Sequence, residues 1–189
     1  PLRRVLPEVT PARGREARRV GFFLGCAQSL LFADQSAATL RVLARNGCTV
    51  ITPKEAACCG MPARGYGRMD LVREQARRNI EVFERCGVEK IITDCATCGS
   101  TLKDYGAFFA GDSRWEARAR AFAEKVRDIS EFLMEIPLAR PVGRVEAVVT
   151  YHDPCHLRRG QRVWRQPRSL LGLIDGLELV ELPEAEWCC

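Results

Sequence analysis

The sequence predicts an α/β protein made of two pseudo-repeated, mostly parallel, Rossmann-like βαβ units, the second truncated. Short runs rich in β-branched and aromatic residues alternate with stretches of helical apolar period, the pattern of strands crossed over by helices. The chain also matches itself at a fixed offset. Cys26 to Cys155 is 129 positions, and Leu40 to Leu170, Leu43 to Leu173, Val50 to Val180, Pro53 to Pro183, Cys58 to Cys188 and Cys59 to Cys189 are each 130. Finally, 189 residues with 47% apolar and 28% charged composition suffice for a sizeable core and exclude a disordered tail, a collagen-like rod or a coiled coil.

Residues 1–18 carry three prolines and no apolar period and read as a linker. Residues 19–26 form a buried strand ending in a turn. Residues 35–46 are helical, with Leu40, Leu43 and Ala44 on one face and Gly47 closing the helix. A second strand covers 48–53. After the loop AACCGMPARGYG, residues 70–86 place Val72, Ala76, Ile80 and Phe83 at spacings of three and four, with Gly87 after the last turn. Residues 88–93 are a third strand running into Cys95. A long helix is expected from Ser113, where Ser113 and Glu116 suit a capping box, to Ile136 before Pro137. Trp115, Ala119, Phe122, Val126, Ile129, Leu133 and Ile136 form its apolar stripe. Residues 145–151 are a fourth strand, 168–175 a helix and 177–183 a fifth strand. On the repeat register Cys95 and Cys98 would recur past residue 189, so the native protein is expected to be longer.

The net charge of +5 is misleading as a sign of nucleic-acid binding. Six arginines against Glu8 and Glu16 put +4 of it in the first twenty residues, and the rest of the chain carries only +1. A nucleic-acid footprint needs basic residues clustered on the folded body, so no nucleic-acid partner is expected. The longest uncharged run, residues 20–33, is 14 residues, whereas a membrane span needs about 20 apolar ones. The start of the sequence has no apolar core of a secretory signal, which sets the expectation of a cytoplasmic, thiol-reducing setting.

In such a setting ten cysteines point to metal or redox chemistry. Cys26, Cys58, Cys59, Cys95 and Cys98 each follow an expected strand, at the sheet edge where open α/β folds collect ligands. Four thiolates satisfy a zinc ion, so a fifth tilts the choice toward an iron-sulfur cluster, with zinc as the alternative. Adjacent Cys58 and Cys59 can reach different irons, and Gly60 lets the backbone pass close to sulfur. Cys155, Cys188 and Cys189 begin a second site in the repeat. Cys48 and Cys86 read as small apolar core residues. His152 and His156, the only histidines, are weak candidates for donating a proton to a substrate or a cluster sulfur. The alternative is that they cap backbone at the Asp153-Pro154 turn. Arg158, Arg159 and Arg162 would suit an anionic carboxylate, although a solvated helix face accounts for them more simply.

The pattern Cys-x31-Cys-Cys-Gly-x34-Cys-x2-Cys, followed by Asp-Pro-Cys-His and a second Cys-Cys, resembles the cysteine-rich CCG domain family. Within it, the segments GFFLGCAQSLLF, AATLRVLARNG, ARRNIEVF, CGSTLKDYG, RDISEFL and YHDPCHLRRGQ are most similar to glycolate oxidase iron-sulfur subunits. The resemblance covers residues 19–189. It implies a first CCG unit at 19–140, the N-terminal part of a second at 141–189, and a linker at 1–18 leading from an upstream ferredoxin-like domain. It further implies an iron-sulfur electron-transfer subunit of a flavin-dependent 2-hydroxy acid dehydrogenase complex, of glycolate or D-lactate type. FAD would sit on a flavoprotein partner subunit, and electrons would pass toward a quinone or other membrane-associated acceptor at the inner face of the membrane. Two features depart from that subfamily. Having both Cys95 and Cys98 resembles the catalytic subunit of heterodisulfide reductases, where five-cysteine units hold non-cubane 4Fe-4S clusters that reduce a disulfide. Met61-Pro62 resembles the lactate-utilisation branch.

Overall fold

The computed structural model describes residues 6–188. A five-stranded sheet has the order β1-β3-β2-β4-β5. Strands β2 (Arg18–Phe22), β3 (Cys48–Ile51), β4 (Lys90–Thr93) and β5 (Val126–Asp128) run parallel, and β1 (Val9–Thr10) lies antiparallel on β3. The fold class is therefore α/β with a mostly parallel sheet, as expected. The helices of this part are α1 (Cys26–Leu31), α2 (Ala33–Arg45), α3 (Met61–Gly65), α4 (Met69–Cys86), α5 (Ala96–Lys103), α6 (Tyr105–Phe108), α7 (Glu116–Lys125) and α8 (Ile129–Glu135).

Alternation along the strands makes two hydrophobic layers, because successive side chains point to opposite faces. Val20, Phe22, Val50 and Ile92 face Leu40 and Leu43 of α2 and Phe132 of α8. Ile51, Ile91 and Val126 face Val72, Ala76, Ile80 and Phe83 of α4 and Phe122 of α7. Helices α2 and α4 end on left-handed glycines, Gly47 at φ 75° and Gly87 at φ 60°. Gly21, in the middle of β2, leaves room for a ring: a Cβ there would lie 2.7 Å from Phe83 Cε1.

The segment read as a linker lies along the sheet from residue 6 onward. Leu6 is buried, Thr52 N donates to Glu8 O at 2.8 Å, and Ala17 N donates to Gly47 O at 2.9 Å.

The long helix expected from Ser113 to Ile136 is instead two helices with β5 between them. Its stripe serves two layers: buried Trp115, Ala119, Phe122 and Val126 pack on the α4 side, and half-buried Ile129 and Ile136 on the α2 side. The chain crosses the sheet between them, and Ile91 pairs with Val126 and Thr93 with Asp128. The capping box is formed by Asp128 and Glu131 at the start of α8. At the expected position, Asp112 accepts from Arg114 N and Trp115 N, and Glu116 accepts from Gly111 N.

Beyond this part, β6 (Arg144–Val149) and β7 (Asp175–Leu179) form a two-stranded parallel sheet, joined through a π-helical turn (His156–Gly160) and α9 (Arg165–Leu171). The helix expected at 168–175 thus starts and stops earlier, and the strand expected at 177–183 is Asp175–Leu179, so that Asp175 opens the strand. Among the described residues no helix is long and apolar enough to cross a membrane.

Gly21→Ala would push the Phe83 ring out of its place in a filled layer, an overpacking that costs about 1–3 kcal/mol. We expect a lower urea midpoint at unchanged slope; a parental midpoint would refute the packing described here.

Candidate metal centre

Three loops at the carboxyl edge of the parallel strands bring five thiols together. After β2 the chain stays extended, with Phe23 N donating to Ile92 O at 2.8 Å, and turns at Gly25 into α1, whose first residue is Cys26. A Cβ on Gly25 would stand 3.1 Å from Cys98 Sγ and 3.9 Å from Cys95 Cβ. Glycine is what lets this turn lie against the Cys95–Cys98 segment. Cys26 is exposed, and its Sγ lies 4.0 Å from Cys58 Sγ.

The Cys58-Cys59 loop has no regular structure, so its backbone groups need partners from elsewhere. They come from two fully buried side chains. Asn79 Oδ1 accepts from Ala57 N at 2.7 Å, and Asn79 Nδ2 donates to Cys58 O at 3.1 Å and to Tyr105 Oη at 3.0 Å. Tyr105 Oη in turn donates to Cys59 O at 2.9 Å. Gly60 then takes φ 99°, a left-handed conformation, and opens α3.

Cys95 caps α5: Cys98 N donates to Cys95 Sγ at 3.5 Å, which fixes the Cys-x2-Cys pair on one turn. Preceding it, Asp94 accepts from Ser36 Oγ at 3.0 Å and Thr39 Oγ1 at 3.1 Å, tying α2 to the same edge. Burial raises the Asp94 pKa against these hydrogen bonds.

Among the sulfurs, Cys26 Sγ lies 4.0 Å from Cys58 Sγ, Cys59 follows Cys58 directly in the chain, and Cys95 Sγ accepts from Cys98 N at 3.5 Å. Cys59 is buried, and its neighbours lower its thiol pKa. Hydrogen bonds from Cys58 and then Cys98, helped by Met61 N and Thr101, outweigh burial and pull its thiol down to about 3. Its donors Cys58 and Cys98 are pushed up correspondingly, first by the hydrogen bond to Cys59. Cys95 is lowered to about 7, chiefly by the hydrogen bond from Cys98. Among the described residues no three Cys, His, Asp or Glu side chains close on a point that would hold a single metal ion. Five cysteines brought to one sheet edge by three loops, with a glycine where a side chain would intrude, fit a centre of several irons.

The other sequence candidates fall elsewhere. Cys48 is buried in the α2 layer, where burial lifts its thiol to about 11, and Cys86 Sγ donates to Val82 O in α4. Cys155 precedes the π-helical turn. His156 Nδ1 stands 3.9 Å from Cys155 Sγ and 3.3 Å from Thr97 Oγ1, between Cys95 and Cys98. His152 Nε2 donates to Trp187 O at 3.0 Å. Cys188 is exposed, on a segment held to the Cys155 turn by Asp153 N donating to Ala185 O and by the Arg158–Glu186 ion pair. Cys189 lies outside the described residues. Arg158 also pairs with buried Asp153, as does Arg168. Sequence reading missed Asn79, Tyr105 and Asp94; a polar residue one position before Ile80 on a core-facing stripe was the available signal for Asn79.

Fold and site together define an α/β domain whose sheet edge is lined by thiols for a metal centre. The chain belongs to the CCG cysteine-rich domain family, whose model matches residues 20–103 and 149–189. It is 37% identical over 97% of its length to a protein of Bacillus subtilis named probable glycolate oxidase iron-sulfur subunit, covering 42% of that protein. It is 36% identical over 90% of its length to lactate utilization protein A of Anoxybacillus flavithermus, covering 71% of it. It is 41% identical over 90% of its length to a subunit of the fumarate reductase (CoM/CoB) of Methanothermobacter marburgensis, covering 32% of that subunit. The chain thus spans less than half of several of these relatives.

Two outcomes follow from the site's geometry. Tyr105→Phe orphans the Cys59 carbonyl and should cost about 1–3 kcal/mol, and Asn79→Leu, which orphans three groups, at least twice as much. Urea unfolding of metal-free protein measures both; equal and negligible losses would refute the clamp. In metal-free protein the alkylation rate of Cys95 should rise with a midpoint near pH 7 and move toward 9 in Cys98→Ala, read by mass spectrometry. A midpoint already near 9 in the parent would refute the Cys98–Cys95 hydrogen bond as its cause.

Proposed function

We propose that Cys26, Cys58, Cys59, Cys95 and Cys98 hold one iron-sulfur cluster of the 4Fe-4S kind. On this reading the protein is the electron-transfer subunit of a flavin-dependent 2-hydroxy acid dehydrogenase complex. The observation that carries it is that three separate loops bring five cysteines to one sheet edge, with Cys26 Sγ 4.0 Å from Cys58 Sγ and Cys95 capping the turn that holds Cys98. A cluster bound there supplies one-electron redox chemistry. The protein's own residues set its surroundings: Asn79 and Tyr105 hold the double-cysteine loop, Gly25 admits the sulfur of Cys98, and exposed Cys26 marks the side open to exchange. The names of the Bacillus and Anoxybacillus relatives support glycolate or lactate as the substrate class of the whole complex. FAD then belongs to a flavoprotein subunit, and electrons leave toward a quinone or another acceptor at the inner face of the cytoplasmic membrane.

The domain reading extends this. Residues 19–140 form the first unit, residues 141–189 begin a second, and residues 1–18 lead in from a ferredoxin-like domain. Strand β6, the turn after Cys155, α9 and β7 follow the order of β2, α1, α2 and β3, which supports the repeat. Cys155, Cys188 and Cys189 then belong to a second metal site. One observation favours a second reading, reduction of a disulfide at the cluster: both Cys95 and Cys98 are present, and Cys26 is open to solvent.

The test is iron, acid-labile sulfide and zinc content, with EPR, on anaerobically purified complete protein. We expect iron and sulfide in equal amounts, lost in Cys59→Ser and kept in Cys48→Ala. Zinc without iron would overturn the cluster. Turnover of a disulfide with an artificial electron donor, without a flavoprotein, would select the second reading.

A further inference from the structure

Away from the cysteines, positive charge gathers where α4 meets the segment between α6 and α7. Arg73 and Arg77 are one turn apart on α4 and so share a face of the helix. Both line an open hollow whose other wall is residues 108–112. Arg73 Nε donates to Phe108 O at 2.8 Å, which leaves its two Nη groups with no acceptor in the protein. The Arg77 guanidinium lies over two rings at once, 5.4 Å from the Phe109 centroid and 5.7 Å from that of Trp115, which are themselves 5.9 Å apart. Aromatic faces of this kind hold a guanidinium in place without neutralising it.

Neither arginine has a counter-ion. Among the described residues no carboxylate pairs with Arg73, with Arg77, or with Arg114, which also stands over the Trp115 ring. The acids around the hollow are engaged elsewhere. Glu84 pairs with Arg118 and Glu116 with Arg120, while Asp112 accepts from Arg114 N and Trp115 N. Glu74 and Glu81, also on α4, pair with neither Arg73 nor Arg77. In addition, the Nε–H of Arg77 is buried and meets no acceptor among the described residues. Buried donors in folded proteins are normally satisfied, so one that is not calls for an acceptor from outside the chain.

The charge and the donors indicate which acceptor suits the hollow. A carboxylate brings one charge and two oxygens, and a single guanidinium fork saturates it. A phosphate monoester brings about −1.5 to −2 charges at neutral pH and three acceptor oxygens, enough for both arginines together. We propose that the hollow formed by Arg73, Arg77 and residues 108–112 binds a phosphate group, either of a small soluble molecule or of a lipid headgroup. The site shares no residue with the cysteine centre, so it stands whether or not those cysteines carry iron.

The experiment is equilibrium dialysis of radiolabelled inorganic phosphate against the complete protein at fixed ionic strength, alongside flotation with phosphatidylcholine vesicles with and without phosphatidate. We expect saturable binding that weakens about tenfold in Arg73→Gln and in Arg77→Gln, through loss of a charge-assisted contact. Arg120→Gln, which removes the partner of Glu116, should bind as the parent does. Arg73→Gln leaves Arg77 stacked on its rings, so the loss in that variant is not one of packing around Trp115. Acetate at the same concentration should displace little of the bound phosphate. Binding of the free ion supports the proposal with a soluble source. Flotation that requires phosphatidate and both arginines, without binding of the free ion, supports it with a lipid source. Displacement by acetate as effective as by unlabelled phosphate overturns the phosphate assignment, and binding that persists in both arginine variants overturns the site. Absence of binding to both probes overturns it as well.

Discussion

Two buried carbonyls govern the metal centre. Cys58 and Cys59 sit on a loop with no ladder and no helix to satisfy their backbone, yet their oxygens are shut away from water. Each would cost about 1–3 kcal/mol if left unpaired. Asn79 and Tyr105 use their polar capacity on this loop: the Asn79 carbonyl takes Ala57 N–H, its two amide hydrogens go to Cys58 O and Tyr105 Oη, and the phenol hydrogen goes to Cys59 O. A fully satisfied buried network of this kind specifies one arrangement, because any displacement strands several groups together. The position of two sulfurs is therefore set by the long helix α4 and by α6, elements packed firmly into the core, and not by the loop's own preferences.

Much of this could be read from residue order, and the remainder shows where local pattern stops being informative. Strands β2, β3 and β4 and helix α4 were legible because each combines a clear period with a terminating glycine or turn. The cysteine spacing was legible because parallel strands put every following loop on one edge. The helix from Ser113 was misjudged for a definite reason. A 4,3 apolar stripe is equally consistent with one helix facing one layer and with two helices facing opposite layers around a short central strand. Val126 satisfies both patterns, and only its pairing with Ile91 decides. Asp128 and Glu131 carried the competing start signal, three residues apart like Ser113 and Glu116. Asn79 and Tyr105 were invisible as site residues because their role depends on a loop far away in sequence.

The residues after 140 add a second kind of constraint. Asp153 is buried between Arg158 and Arg168, and Arg168 also reaches Glu181. A buried carboxylate without such partners would be costly, and with them it fixes the turn that carries Cys155 and His156. The arginines considered for an anionic substrate are in this way partly committed: Arg158 to Asp153 and Glu186, and Arg159 to the carbonyl of Glu186. The simpler reading of them as structural and surface groups agrees with this geometry.

The arrangement of sulfurs also bears on which metal the site suits. A structural zinc ion asks four ligands to close as a tetrahedron around one point, each sulfur about 2.3 Å from it. Here five cysteines come from three separate loops, with Cys26 Sγ 4.0 Å from Cys58 Sγ. Choosing any four for zinc would leave the fifth as a thiol with no metal to bind, beside a site already filled. Cys58 and Cys59, adjacent in the chain, differ in place: Cys58 Sγ lies 4.0 Å from exposed Cys26, whereas Cys59 is buried. A centre with several irons would accommodate that separation, since neighbouring sulfurs can bind different irons or share one. In such a centre the fifth cysteine would serve as a ligand and not as a surplus, so the count favours the proposed cluster over a single zinc ion.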